Sequence, residues 1–163
     1  MVHRLDINVG KIMKALDAHD LSENTLVVFI SDNGGPVDSN ASINAPYNGQ
    51  KGILLEGGIH VPFIMNWPNN LHGGKVYEKP VTSLDIAPTF LELAGGKGNE
   101  VDFDGVNLIP FIEAQNSELP HEELKWRFTI SAAVREGEWK LVRLPDRLPI
   151  YWRHGQLAEF YFA

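Results

Sequence analysis

Cysteine is absent from the 163-residue chain, which excludes disulfides and thiolate-held metal sites. No run approaches the roughly 20 apolar residues that a membrane-crossing helix needs, so no membrane span is expected. The opening Met1-Val-His-Arg-Leu-Asp6 also lacks the apolar core of a signal peptide. Positive charge is scarce, with 14 lysines and arginines against 21 acids and a net charge of -7. A general nucleic-acid surface needs the opposite balance, so nucleic acid is not an expected partner. Internal repeats and low-complexity tracts are missing too. What remains is ordinary: 44% hydrophobic and 21% charged residues suit a globular protein with one core, or one core and a satellite layer. An acidic protein of this kind, if it handles an anionic group, needs a local positive focus, and Lys51 is the candidate.

Val2, Leu5, Val9, Ile12, Met13 and Leu16 recur at helical spacing, predicting an amphipathic helix over residues 1 to about 18. No capping residue precedes that stripe, so the chain is expected to begin inside a helix. Thr25-Leu-Val-Val-Phe-Ile30 is a continuous apolar run, expected as a central parallel strand covered on both faces. Ser31-Asp32-Asn33 then falls at its C-terminal end, where open α/β sheets gather their ligands. Residues 34–50 are a long loop rich in Gly, Asn, Ser and Pro, a length that points to function. Pro62–Trp67 predicts a second strand. A helix over Leu84–Ala94 is expected to start at Thr82 or Ser83 and stop at Gly95-Gly96. A short helix is expected near Leu108–Glu113. Residues 114–125 read as a polar boundary. Phe128–Val134 and Trp139–Arg143 then read as strands joined by a hairpin at Arg135–Glu138.

The chemistry gathers between residues 30 and 67. Asp32 and Asn33 offer a carboxylate and an amide carbonyl, hard oxygens suited to calcium or magnesium. Alone, the pair reads first as an Asx turn closing a strand, and it is the neighbouring apolar strand and Lys51-Gly turn that point to a site. Lys51 stands in a glycine-flanked turn, where backbone can approach an anion closely, although a solvated surface lysine has the same spelling. Glu56 reads as a structural, hydrogen-bonding carboxylate. His60 reads either as a satisfied interior histidine or as a substrate-facing group.

Ser31-Asp32-Asn33-Gly-Gly-Pro36, Asn44-Ala-Pro46, Gly49-Gln-Lys51-Gly, Glu56-Gly-Gly and Pro62-Phe-Ile-Met-Asn-Trp-Pro68 resemble the sulfatase family in linked order and spacing. Ser83-Leu-Asp-Ile-Ala-Pro-Thr89 and Asp104-Gly-Val-Asn-Leu108 are similar to its usual continuation. Pro120-His-Glu122, Trp126-Arg127 and Gly137-Glu-Trp-Lys-Leu-Val142 resemble its bacterial, polysaccharide-acting members. The resemblance implies an α/β fold, part of the sandwich-type mixed sheet of sulfatases and alkaline phosphatases. Residues 1–113 would be the C-terminal part of the catalytic domain, and residues 114–163 the start of a small antiparallel C-terminal layer.

Carried over by position, the resemblance implies that Asp32 and Asn33 are ligands of one divalent cation, usually calcium. Lys51 would be catalytic, contacting the sulfate or its bridging oxygen. His60 would join Lys51 in substrate binding, although many members carry arginine at that position. Related phosphatases tend to have histidine where Asn33 stands, for a second metal, so the amide favours a single-metal sulfatase. The family nucleophile is a formylglycine made from Cys or Ser in a Cys/Ser-x-Pro/Ala-x-Arg motif. That motif is expected upstream of Met1, with the other acidic ligands, a lysine and histidines, and the chain itself is expected to lack it. Pro149-Ile-Tyr-Trp152 departs from the Leu-Tyr-Asp-Leu-type segment that usually closes the family's last strand. The implied activity is sulfuric ester hydrolysis on sulfated carbohydrate or aryl sulfate, in a periplasmic or secreted enzyme. The missing N-terminal half would be a partner, and the chain alone is expected to be inactive. The alternatives are a phosphoester or phosphonate hydrolase of the same superfamily, and a non-catalytic remnant or split partner.

Overall fold

A computed structural model describes residues 1–97, 101–144 and 161–162. The departure at Pro149–Trp152 lies outside the described residues. The architecture is α/β, and the chain divides into two compact units, each drawn from two segments. One unit is Met1–Phe29 with Ile64–Pro120, the other Ile30–Phe63 with His121–Ala163.

The first unit opens with helix α1, Val2–Ala18, which has no side-chain cap and no buried residue. The predicted stripe is therefore present but largely unpaired within the described chain. Strand β1, Val27–Ile30, forms a two-stranded sheet with β2, Phe63–Asn66. All four β1 residues are half-buried rather than enclosed. Its apolar run is present as expected, and among the described residues β2 is its one partner.

Helix α3, Ile86–Leu93, follows a 3-10 turn at Ser83–Asp85, and its sequence explains its start. The Thr82 N–H donates to Asp85 Oδ2 at 2.8 Å, one half of a capping box. Asp85 is wholly buried, and its other oxygen accepts the Val106 N–H at 2.9 Å. Thr89 Oγ1 donates to the Asp85 carbonyl at 2.6 Å and accepts the Leu108 N–H at 3.0 Å. These bonds fasten α3 to the turn that leads into α4, Ile109–Ile112. Asp85, Thr89 and Leu108 form the buried node of this unit. Burying Asp85 is tolerable because both of its oxygens have donors. Glu113, whose side chain is only 9% exposed, is drawn below the ordinary carboxylate range by His72 Nδ1 at 2.6 Å, against some desolvation, with help from Lys75 at 3.2 Å.

The second unit holds the 34–50 loop, the short helix α2 (Glu56–Ile59) and an antiparallel sheet. The sheet runs β3 (Glu123–Phe128), β4 (Ser131–Glu136), β5 (Trp139–Arg143) and β6 (Tyr161–Phe162) in sequence order. The expected strand at Phe128–Val134 is really the end of one strand, a two-residue turn and the start of another. Phe128 pairs with Ser131, and Thr129 between them takes a positive φ of 54°. A β-branched residue in that region is unusual, and no Gly, Asn or Asp marks the turn. The second hairpin was legible, because Gly137 supplies the positive φ between Glu136 and Trp139.

β5 inverts its hydrophobic alternation. Lys140 is 7% exposed, while its neighbours Trp139 and Leu141 are 57% and 61% exposed. Register puts Lys140 opposite Arg135, and the Lys140 ammonium lies 5.2 Å from the centre of the Trp126 ring.

Candidate functional site

The site is built around close backbone approach. The Gly34 N–H donates to the Gly58 carbonyl at 2.9 Å, and the Gly57 N–H donates to the Asn48 carbonyl at 2.6 Å. A Cβ on Gly34 would overlap the Gly57 carbonyl, and one on Gly58 would overlap the Ile53 carbonyl. Glycine is needed here for space rather than for φ. The 34–50 loop is held from within by Asn44, whose Oδ1 accepts the Gly35 N–H at 3.0 Å. Its Nδ2 donates to the carbonyls of Gly35 at 2.8 Å and Gly49 at 3.0 Å. Gln50, itself buried, donates to Asp38 Oδ2 at 2.9 Å and accepts the Asp38 N–H at 3.2 Å. Two amides thus close a loop that sequence alone leaves open.

A cavity of about 290 Å³ lies within this frame, lined by Ser31, Asn33, Asn44, His60 and neighbouring backbone. Asn33 Nδ2 donates to the Gly34 carbonyl at 2.9 Å, and Ser31 Oγ donates to the Asn33 carbonyl at 3.1 Å. Of the four candidate site residues named from the sequence, Asn33 and His60 share this cavity. Asp32 and Lys51 are exposed and do not line it. Among the described residues no cluster of three or more His, Asp or Glu side chains could hold a metal ion. Asp32 and Asn33 match the oxygen chemistry of calcium but supply only two of its six to eight ligands.

Behind His60 stands a charged chain in which Glu56 is the hydrogen-bonding carboxylate expected from the sequence and Lys140 is a residue that sequence reading missed. His60 Nδ1 lies 3.2 Å from Glu56 Oε2, and Lys140 Nζ donates to Glu56 Oε1 at 2.5 Å. The His60 ring, half-exposed, stacks on Tyr47 with centroids 4.5 Å apart and planes inclined by 29°. Burial pushes the Glu56 carboxyl up, but the Lys140 hydrogen bond and charge, with His60 and Arg135, outweigh it. The net direction is below the ordinary carboxylate range. Burial draws the Lys140 ammonium down, and the Glu56 charge only partly restores it. We take the pair as ionic, since each ion substitutes for the water the other has lost. The available signal for Lys140 was its place in a Trp-Lys-Leu-Val strand, which forces lysine and tryptophan onto opposite faces.

A sulfatase family model matches residues 1–96. A second, for the N-sulphoglucosamine sulphohydrolase C-terminal region, matches residues 49–148. The chain belongs to the sulfatase family. Human arylsulfatase H is 42% identical over 131 residues, 76% of this chain and 23% of that protein. The crystal structure of Ps i-CgsB in complex with k-i-k-neocarrahexaose is 37% identical with a TM-score of 0.77, over 88% of this chain and 33% of that one. The PsFucS1 sulfatase from Pseudoalteromonas sp. is 30% identical with a TM-score of 0.74, over 85% of this chain and 28% of that one. The fold is accordingly that of the sulfatases, and the chain spans about a quarter of the length of the curated relatives it matches.

One stretch corrects the reading that the nucleophile spelling is absent. Ser131-Ala-Ala-Val-Arg135 is a Ser-x-Ala-x-Arg sequence. It forms most of β4, an internal strand paired with β3 on one side and β5 on the other. Ser131 is buried, and Arg135 Nε donates to the Gly137 carbonyl at 3.0 Å. The local geometry is that of a structural hairpin strand.

Proposed function

We propose that these residues form the C-terminal part of a sulfuric ester hydrolase that acts on sulfated carbohydrates. In this reading residues 1–113 complete its catalytic domain and residues 114–163 begin its antiparallel C-terminal layer. The carrying observation is the linked order of Asp32-Asn33 behind β1, glycine-flanked Lys51 and cavity-lining His60 in a chain of this family. Asp32 and Asn33 are two ligands of a divalent cation, calcium by its preference for hard oxygens, and the rest of the shell comes from elsewhere in the enzyme. When bound, such an ion draws charge from the sulfate oxygens. Lys51 is the catalytic cation of this chain, an exposed ammonium that offsets charge developing on the leaving oxygen. The carbohydrate preference is supported by the carrahexaose-bound relative. The enzyme acts in the periplasm or outside the cell, where sulfated polysaccharides are met.

The test uses the complete enzyme containing these residues, with aryl sulfate, sulfated oligosaccharide and phosphoester substrates. Sulfate esters should be cleaved, and Lys51→Ala should lower kcat by about a hundredfold or more, as loss of one charge-stabilising donor does. Preferential cleavage of the phosphoesters would replace this reading with that of a phosphoester hydrolase.

A further inference from the structure

We propose that Glu56 is a positioning residue that fixes His60 as its Nδ1–H tautomer, so that His60 offers a hydrogen-bond acceptor to a hydroxyl-bearing ligand in the cavity. The inference deepens the carbohydrate reading and rests on it for the ligand, but the tautomer stands on geometry alone. An ionised carboxylate only accepts, so the ring nitrogen 3.2 Å from Glu56 Oε2 is the one placed to carry the proton of a neutral imidazole. Nε2 is then the lone-pair nitrogen. Lys140 is the reason Glu56 stays ionised: it binds the other carboxylate oxygen from the buried face of β5. The direction of the Glu56 titration, below the ordinary range, agrees.

Tyr47 completes the arrangement. Its ring stacks against the imidazole and restricts rotation, so the acceptor is held from two sides. An arginine at this position would present donors only and would suit an anionic neighbour. A tautomer-fixed histidine suits a neutral hydroxyl instead. The ligand class is a sugar sulfate carrying a free hydroxyl that reaches this cavity. Glu56 and Lys140 touch no substrate in this scheme; they act through His60.

The deciding experiment is long-range proton–nitrogen NMR of the full chain labelled with 15N-histidine, above the titration of the imidazoles. His60 is assigned by its loss in His60→Gln, since the chain has 6 histidines. The expected result is the Nδ1–H pattern for His60 in the native chain. The Nε2–H pattern there would overturn the proposal, whatever any variant does. Glu56→Gln, if folded, should return His60 to the Nε2–H form that free imidazole prefers.

In the complete enzyme, a deoxy analogue of the sugar sulfate that lacks the hydroxyl contacted by His60 should raise KM about tenfold with kcat little changed, as loss of one ground-state hydrogen bond does. His60→Ala should abolish that discrimination. A discrimination that survives His60→Ala would refute the hydroxyl contact. Failure of the native enzyme on every sulfate ester, with the Nδ1–H pattern intact, would sink the hydrolase reading while leaving the Glu56–His60 assignment standing.

Discussion

At the scale of single residues, identity and environment carry different information. Asp32, Asn33, Lys51 and His60 stand out in the sequence as candidates because hard oxygens and a glycine-flanked cation in that order suit an anion-handling site. Their environment does not, since exposure of Asp32 and Lys51 depends on what packs over them. Ser131 is the reverse case, a catalytic spelling in a structural place. Mass spectrometry of the peptide bearing Ser131 should find unmodified serine, and Ser131→Ala should leave activity of the complete enzyme within about twofold, a surface-like effect for a residue outside the chemistry. A mass lower by two hydrogens at that serine would contradict the hairpin reading. Gly34 makes a stability prediction. Its missing Cβ is the space occupied by the Gly57 carbonyl, so Gly34→Ala should destabilise by about 1–3 kcal/mol or prevent folding, measurable by thermal melting.

At the scale of elements, periodicity found α1, β1, β2, α3, α4 and β5 to within a few residues. It found β3 and β4 badly, because Thr129 turns the chain without any of the residues that usually announce a turn. The closure of the 34–50 loop by Asn44 and Gln50 was invisible for a related reason: amide-to-backbone bonds have no period to read. Glu56 and Lys140 join α2 to β5, and their titration gives a pH prediction. The folded carboxyl lies below its ordinary value, so its stabilising contribution is complete above the ordinary carboxylate range near pH 4. It fades as pH falls through that window toward the folded value, because the unfolded chain then binds the extra proton more readily. Glu56→Gln should flatten this acid limb of the melting curve. At neutral pH the same change should cost about 1–3 kcal/mol, less than for a wholly enclosed pair, because Glu56 is partly exposed. The double variant Glu56→Gln with Lys140→Met should recover part of that loss, as a thermal-shift cycle would reveal.

At the scale of the whole molecule, the described residues contain two candidate oxygen ligands and a candidate cation but no group of three or more acidic or histidine side chains that could hold a metal ion. The 163-residue chain by itself should therefore show no turnover of aryl sulfate. Micromolar calcium should leave its melting temperature unmoved, since a two-ligand site binds too weakly to stabilise. A calcium-dependent rise would mean that the chain completes the shell itself. The buried lysine of β5 also has a consequence for the register of its sheet. A one-residue slip of that strand would turn Trp139 and Leu141 inward and Lys140 outward, the arrangement hydrophobicity alone prefers. The turn at Gly137 fixes the observed register instead, and Glu56, 84 residues earlier, makes that register tolerable by receiving the ammonium. Without Glu56 the sheet would have to choose between a buried, unpaired charge and the wrong phase.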